Sequence, residues 1–287
     1  MIDEILEGNG MKNCKGESLP YPLGGESLSK LDNASPAQLA ECAKFPYRRI
    51  VGQLMYCMVH TMMPIMYALN VLSRYGNNPG PRHIEFVRHL LRYVKTSRAD
   101  RIKFDTHDGA TDIVTMTTLL QLRFQCDADL AGNPDNLHSQ TSYLGYLGGS
   151  LICWCSTDQG SVSTSTAESE IKAVNHTLKS EVIASRGILT NMGWTQAPTC
   201  IEEDNKACVD ASIVRHMTRG LRHLAITENF LKEKYADKTC ILIKIASGNN
   251  NSNIGTKRVT RPIFEFLTHK LIDRSLRNDS IKTKTKA

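Results

Sequence analysis

Leu120-Gln121-Leu122-Arg123-Phe124-Gln125-Cys126-Asp127 alternates apolar and polar residues and ends on an acid. A period of two puts Leu120, Leu122, Phe124 and Cys126 on one side of an extended chain, so the stretch predicts a strand ending at Asp127. Downstream, Thr141 to Leu147 and Leu151 to Cys155 predict two more strands. Gly148-Gly149-Ser150 between them is a hairpin signal, because paired glycines accept the backbone of a tight turn. The period then lengthens. Ala167, Ile171, Val174, Leu178 and Val182 keep helical spacing, and Gly193 closes that helix. Thr199 to Glu203 predicts a short strand, Asn205 to Val214 and Leu224 to Tyr235 helices, Cys240 to Ile245 a last strand and Ile263 to Ile272 a last helix. Three strands, a helix, and then strands alternating with helices define an α/β class with a mixed sheet and helices packed on it.

Upstream of this block the pattern is helical from Phe45 to Val94. Ile84, Val87, Leu91 and Val94 mark one face of a helix that starts at Pro81, after the turn Asn78-Pro79-Gly80. Arg88, Arg92 and Lys95 fall on another face, followed by Arg98, Arg101 and Lys103. Such a row fits either a solvated helix surface or contacts to a nucleic-acid backbone. Residues 1–45 are punctuated by glycines and prolines and predict an irregular opening segment. The expected organisation is therefore 1–45 irregular, 46–108 helical, 118–273 the α/β domain, and 274–287 a frayed, charged tail.

Composition narrows the function classes. Hydrophobic residues make up 41% and charged residues 22%, which is globular rather than disordered. The net charge of +6 permits a polyanionic partner without demanding one. Met1 to Gly16 mixes acids with apolar residues and predicts no secretory signal. The most apolar window, Leu54 to Leu72, carries His60, Thr61, Pro64 and Asn70, so two buried helical pieces broken near Pro64 are expected there rather than a membrane span. The nine cysteines include no Cys-x-x-Cys pair. They predict small core residues of a reducing compartment rather than a zinc site.

The acids carry the chemistry. Asp127 ends one predicted strand, Asp204 ends another, and Glu168 and Glu170 lie in the first turn of the helix after the hairpin. Acids placed this way can converge at one sheet edge, where a cluster of carboxylates is stabilised by an oxygen-ligated cation such as Mg²⁺ or Mn²⁺. They can equally cap helices and solvate loops. Glu168 and Glu170 lie about equally far either side of the apolar stripe, so periodicity does not choose between them.

Three strings occur in order: Cys126-Asp127-Ala128-Asp129-Leu130-Ala131-Gly132, Ser163-Thr164-Ser165-Thr166-Ala167-Glu168-Ser169-Glu170, and Glu203-Asp204-Asn205-Lys206-Ala207. Together with Phe45-Pro46-Tyr47-Arg48-Arg49-Ile50-Val51-Gly52, Leu72-Ser73-Arg74-Tyr75 and Ile254-Gly255-Thr256-Lys257, they closely resemble the end of the reverse transcriptase and the ribonuclease H region of copia-type LTR retrotransposon Pol polyproteins. The resemblance covers roughly residues 5–273. It implies a ribonuclease H-like fold, a mixed five-stranded sheet with one antiparallel strand and helices on both faces. It also implies Mg²⁺-dependent (or Mn²⁺-dependent) cutting of the RNA strand of an RNA–DNA hybrid by two-metal catalysis.

Site residues follow from the same resemblance. Asp127 matches a ligand shared by both metals, and Asp129 borders the site. Glu170-Ile171-Lys172-Ala173 matches the helix acid, which selects Glu170, and Asp204 matches the third acid. The fourth position departs from the pattern: Ser252-Asn253-Ile254 stands where the family has Ala-Asp-Ile, and Asn253 offers a carbonyl oxygen without charge. Arg88, Arg92 and Lys95 would lie beside the hybrid. His223 matches a family histidine, for which a packing role is expected. No aromatic-x-Asp-Asp string of a polymerase palm occurs, so the polymerase portion of the polyprotein is expected upstream as a partner. The implied location is an intracellular particle with access to the nucleus, with no membrane. A catalytically dead remnant, or a host-retained nucleic-acid-binding protein, is the competing reading that Asn253 supports.

Overall fold

A computed structural model describes residues 1–24, 27–30, 34–104, 120–213 and 225–277. They fall into two compact units, one of Met1–Lys103 with the stretch from Arg258, the other of Phe104–Lys257. The first unit opens with helices α1 (Ile2–Gly8), α2 (Pro36–Ala43), α3 (Tyr47–His60), α4 (Met66–Ser73) and α5 (Pro81–Ser97), followed by the two-residue strand β1 (Arg101–Ile102). The opening segment is thus not irregular throughout. At α2, Ser35 Oγ accepts the Gln38 amide while Gln38 Oε1 accepts the Ser35 amide at 2.8 Å, a capping box with Pro36 preset for the first turn. Pro64 sits in a single 3-10 turn, Met63–Ile65, which separates α3 from α4 where the sequence broke. On α5, Ile84, Val87, Leu91 and Val94 are buried, as their spacing required.

The second unit is built on strands β2 (Leu122–Asp129), β3 (His138–Leu147), β4 (Ser150–Val162), β5 (Thr199–Glu203) and β6 (Cys240–Lys244). Its helices are α6 (Thr166–Thr177), α7 (Ile183–Asn191), α8 (Lys206–Ile213) and α9 (Ala225–Ala236). The sheet order is β4-β3-β2-β5-β6. β3 is antiparallel to both its neighbours, while β2, β5 and β6 pair in parallel. This is the ribonuclease H-like mixed sheet, with one reversed strand, that the resemblance implied. The turn from β3 to β4 holds Gly148 at φ 58° and Gly149 at φ 86°. Two consecutive left-handed residues suit the twist of a hairpin and favour glycine at both places.

Alternation decides what each face of the sheet meets. Leu122, Phe124 and Cys126 of β2 pack with Ile171, Val174 and Leu178 of the helical side, and with Val209 and Leu231. A π-helical turn, Leu178–Val182, joins α6 to α7, so the single expected helix continues to Asn191 through one widened turn. The opposite face is polar and is crossed by a 3-10 helix, Asn251–Gly255. There Tyr146 donates to Gln125 Oε1 at 3.1 Å, and Ser156 Oγ and Gln140 Nε2 donate to the Gly255 carbonyl at 2.7 and 3.1 Å.

From Arg258 the chain belongs to the first unit, so the α/β unit closes at Lys257 rather than at residue 273. Helix α10 (Arg261–Thr268) buries Phe264 edge-on against Tyr21 and Tyr93. It ends four residues before the expected Ile272, because strand β7 (Ile272–Asp273) pairs antiparallel with β1. Arg274 and Arg277 are not frayed: Arg277 Nε donates to Asp100 Oδ1 at 2.6 Å, and Arg274 stands 4.0 Å from Asp100 Oδ2.

Gly145 of β3 tests how tightly the sheet packs on its helices. A methyl group there would come within 2.5 Å of the Phe124 ring and would also clash with Cys153 Sγ. Gly145→Ala should destabilise the chain by about 1–3 kcal/mol in urea unfolding, as overpacking does. Unchanged stability would contradict this packing.

Candidate metal centre

β2 and β5 are neighbours in parallel register, with Gln125 opposite Glu202. Two residues beyond that last pair, Asp127 on β2 and Asp204, just past the end of β5, come to the same end of the sheet. Glu170 arrives from the second turn of α6, whose first turn is fixed by Ser165 Oγ accepting the Glu168 amide at 3.1 Å. The three side chains each place a carboxylate oxygen within 4.8 Å of the others. Asp127 and Glu170 are buried and Asp204 is half-buried. Among the described residues this is the one group of three or more acids, histidines or cysteines so arranged.

Burial raises the Asp127 carboxyl to about 6, with Asp204 and Asp129 adding to the rise. Lys257, whose Nζ lies 3.6 Å from Asp127 Oδ2, and the Thr256 hydroxyl, which donates to the same oxygen, oppose it. Glu170 is pushed far above the carboxylate range by burial first and then by Glu203, Asp127 and Asp204. Its Oε2 is buried without a hydrogen-bond partner. An acid with an orphaned oxygen, clustered with two aspartates, is a donor set that suits a hard divalent cation, and a cation would offset the burial and the mutual repulsion that raise the Asp127 and Glu170 carboxyls. The chemistry of the residues therefore fits Mg²⁺ or Mn²⁺.

Glu168 is bound elsewhere. Its Oε2 accepts both the amide and the hydroxyl of Thr164 at 2.8 Å, and its Oε1 pairs with Lys172 at 2.8 Å. It closes the loop before α6 and is not one of the three clustered acids. Asp129, at the end of β2, is not one of them either. Asn253 is buried in the 3-10 helix, which Asn250 Nδ2 anchors to the Cys126 carbonyl at 2.7 Å. Its Nδ2 donates to the carbonyls of Ser247 and Asn250 at 2.9 and 2.8 Å, while its Oδ1 is unpartnered. The same turn carries Thr256 and Lys257 onto Asp127.

The basic row divides. The Arg88 guanidinium lies 5.6 Å from the centre of the Phe45 ring. Arg88 and Arg92 line a cavity of about 370 Å³ together with Arg82, His89 and Arg258. Lys95 does not join them, because its ammonium donates to the Cys14 carbonyl. His223 lies outside the described residues.

One acid beside the centre has no counterpart in the expected site. Glu203 is fully buried. Its Oε1 accepts the amides of Asp204 and Asn205, each at 3.0 Å, and its Oε2 accepts the Cys126 thiol at 3.2 Å. Burial raises its carboxyl to about 8. Strand parity carried the signal: Thr199, Ile201 and Glu203 share the inward face of β5, an unusual place for an acid.

The raised carboxyls set a sign for stability. An acid whose folded pKa exceeds its unfolded value near 4 stabilises the fold while protonated, and that contribution is lost as pH rises through the folded value. For Asp127 the window runs from 3.8 to about 6. The metal-free chain should therefore lose thermal stability across that interval, and Mg²⁺ should raise its Tm more at pH 8 than at pH 5. Equal Mg²⁺ shifts at both pH values in a melting scan would contradict the site.

No protein-family profile matches the chain. It is 32% identical over 265 residues, 92% of its length, to the retrovirus-related Pol polyprotein from transposon TNT 1-94 of Nicotiana tabacum. It is 28% identical over 226 residues, 78% of its length, to the Pol polyprotein from transposon RE1 of Arabidopsis thaliana. These stretches amount to 19% and 15% of the two relatives, so the chain spans less than a fifth of either. Among solved structures, LC11-RNase H1, isolated from compost by a metagenomic approach, is similar with a TM-score of 0.38 and 11% identity, over 47% of this chain and 92% of that one. Likeness to the Pol polyproteins runs along nearly the whole chain, as the ordered strings do, and the chain is similar to one segment of the retrovirus-related Pol polyproteins of plant transposons.

Proposed function

We propose that this chain is a metal-dependent ribonuclease H-type endonuclease that hydrolyses the RNA strand of RNA–DNA hybrids. The observation that carries this reading is the meeting of Asp127, Glu170 and Asp204 within 4.8 Å, with the Glu170 oxygen unpartnered. Asp127 would be the ligand shared by the ions, Glu170 would be a second ligand, and Asp204 a third, on the side of the attacking water. When bound, a pair of Mg²⁺ or Mn²⁺ ions supplies activation of that water and stabilisation of the leaving oxygen. Asn253 gives the fourth position an oxygen but no charge, so affinity on its side falls and the nuclease is weak. Lys257 partly offsets the charge of Asp127 and holds the carboxylate aligned while the site is empty of substrate. The arginines around the cavity of the first unit, Arg88 and Arg92 among them, supply phosphate contacts that position nucleic acid without reading its sequence. The chain acts inside the cell as one segment of a longer Pol polyprotein that carries the polymerase.

Asn253 also favours a second reading, a nucleic-acid-binding remnant without turnover. Cleavage of a labelled RNA–DNA hybrid in Mg²⁺ by the purified chain separates the two. Turnover should be detectable, rise in Asn253→Asp at limiting Mg²⁺, and fall by roughly 10²-fold or more in Asp127→Asn, the order of loss when a transition-state contact is removed. Inactivity of both the chain and Asn253→Asp would establish the remnant.

Binding is tested apart from chemistry, in EDTA. Arg92→Ala should weaken hybrid binding and lower the slope of log affinity against log salt by about one. An unchanged slope would remove Arg92 from the interface.

A further inference from the structure

The β2–β5 ladder stops short of the acids it serves. Its last paired residues are Gln125 and Glu202, so no ladder pairing joins the strands at Cys126 and Glu203 or at Asp127 and Asp204. Yet those two aspartates must keep a fixed separation if they are to share a cation. Beyond the ladder, the link between the strand ends is a side chain. Glu203 reaches from β5 to the Cys126 thiol on β2 with Oε2, at 3.2 Å, while Oε1 gathers the amides of Asp204 and Asn205. Cys126 immediately precedes Asp127, and the amide of Asp204 belongs to the other aspartate itself. The brace therefore grips the chain at both metal-binding residues.

Two further contacts stiffen its ends. Asn250 Nδ2 holds the Cys126 carbonyl at 2.7 Å, and Asn205 Oδ1 accepts the Cys208 amide at 3.1 Å, starting α8. An ordinary helix cap would satisfy the amides alone. The second arm, across to the neighbouring strand, is what a cap does not need. Nor is Glu203 a ligand in waiting: donors occupy both its oxygens, and it stands outside the three-carboxylate set.

We propose that Glu203 is a positioning residue, whose carboxylate braces Cys126 against the backbone of Asp204 and Asn205 and so fixes Asp127 and Asp204 at the spacing a shared divalent cation requires. The inference rests on the metal-dependent reading above. It assigns the work to hydrogen bonds, so an uncharged acceptor of the same length should serve. A residue of that length without an acceptor should not.

The test is the Mn²⁺ dissociation constant of the whole chain, measured by calorimetry at a temperature where circular dichroism shows each variant folded. Glu203→Met should weaken Mn²⁺ binding about tenfold or more, the scale of losing a partner that orients a ligand. Glu203→Gln should stay within about threefold of the unaltered chain, because its amide oxygen still accepts the two backbone N–H groups and its NH2 keeps the strand-to-strand arm by donating to the Cys126 sulfur, a weak acceptor. Cys126→Ala removes the strand-to-strand arm, with the thiol's longer 4.0 Å approach to the Glu202 carbonyl, while leaving the Glu203 contacts to the Asp204 and Asn205 amides in place, and should weaken binding by a few-fold, the size of one modest hydrogen bond. It decides the matter if Glu203→Met does not fold. Undiminished Mn²⁺ binding in folded Glu203→Met, or in Cys126→Ala, overturns the inference. So does a Glu203→Gln variant as weak as Glu203→Met, since charge rather than placement would then be at work. An unaltered chain that takes up no Mn²⁺ overturns the metal reading and this inference together. Mn²⁺ uptake without hybrid cleavage overturns only the nuclease reading.

Discussion

Three carboxylates within 4.8 Å of one another, two of them buried, repel strongly unless they hold protons or share a cation. The second unit is organised around tolerating that repulsion. Parallel pairing of β2 with β5 brings the two aspartates to the same end of the sheet, and the N-terminal part of α6 brings Glu170 to them. The turn after β6 supplies Thr256 and Lys257, which partly compensate Asp127. These devices leave the Asp127, Glu170 and Glu203 carboxyls raised, by burial first and by the neighbouring acids after it. A site that stays strained without a cation is one that a cation stabilises, which is how binding energy comes to depend on pH.

The sheet's two faces divide the labour. The helical side is apolar and cooperative, with Phe124, Ile171 and Leu231 in one cluster, and it holds the strands rigidly enough to present acids at their ends. The other side is a hydrogen-bonded surface of Gln125, Gln140, Tyr146 and Ser156, onto which the 3-10 helix is fastened. Placing Asn253 in that fastened turn explains how the amide can be accommodated without disturbing Asp127: its nitrogen is satisfied by the turn's own carbonyls. The first unit is chemically different, a helical body with a cavity where Arg82, Arg88, Arg92 and Arg258 outnumber the single carboxylate of Glu85.

Much of this was legible from residue order. Alternation from Leu120 to Asp127, the paired glycines at 148 and 149, and helical spacing from Ala167 to Val182 each specify a local conformation and together a mixed sheet with helices, while five strands with one reversed were implied by the family resemblance. The choice between Glu168 and Glu170 was not legible in periodicity, because both flank the apolar stripe. What separates them is a loop contact, Thr164 and Lys172 claiming Glu168, which only tertiary structure creates. Glu203 escaped notice although its parity marked it as inward, since an acid next to Asp204 resembles an ordinary strand end. The helix α2 was signalled by Ser35 and Gln38 three residues apart, but glycines and prolines around it masked the signal. The union of Arg258 onward with the first unit depends on contacts between residues more than 150 apart, such as the pairing of β1 with β7, and no local pattern encodes it.

The central claim is that Asp127, Glu170 and Asp204 hold a divalent cation. Anomalous diffraction from crystals soaked in Mn²⁺ tests it most directly. The account predicts a peak within bonding distance of one oxygen from each of the three side chains. Saturating Mn²⁺ with no peak there, or a peak only at other residues, would contradict it.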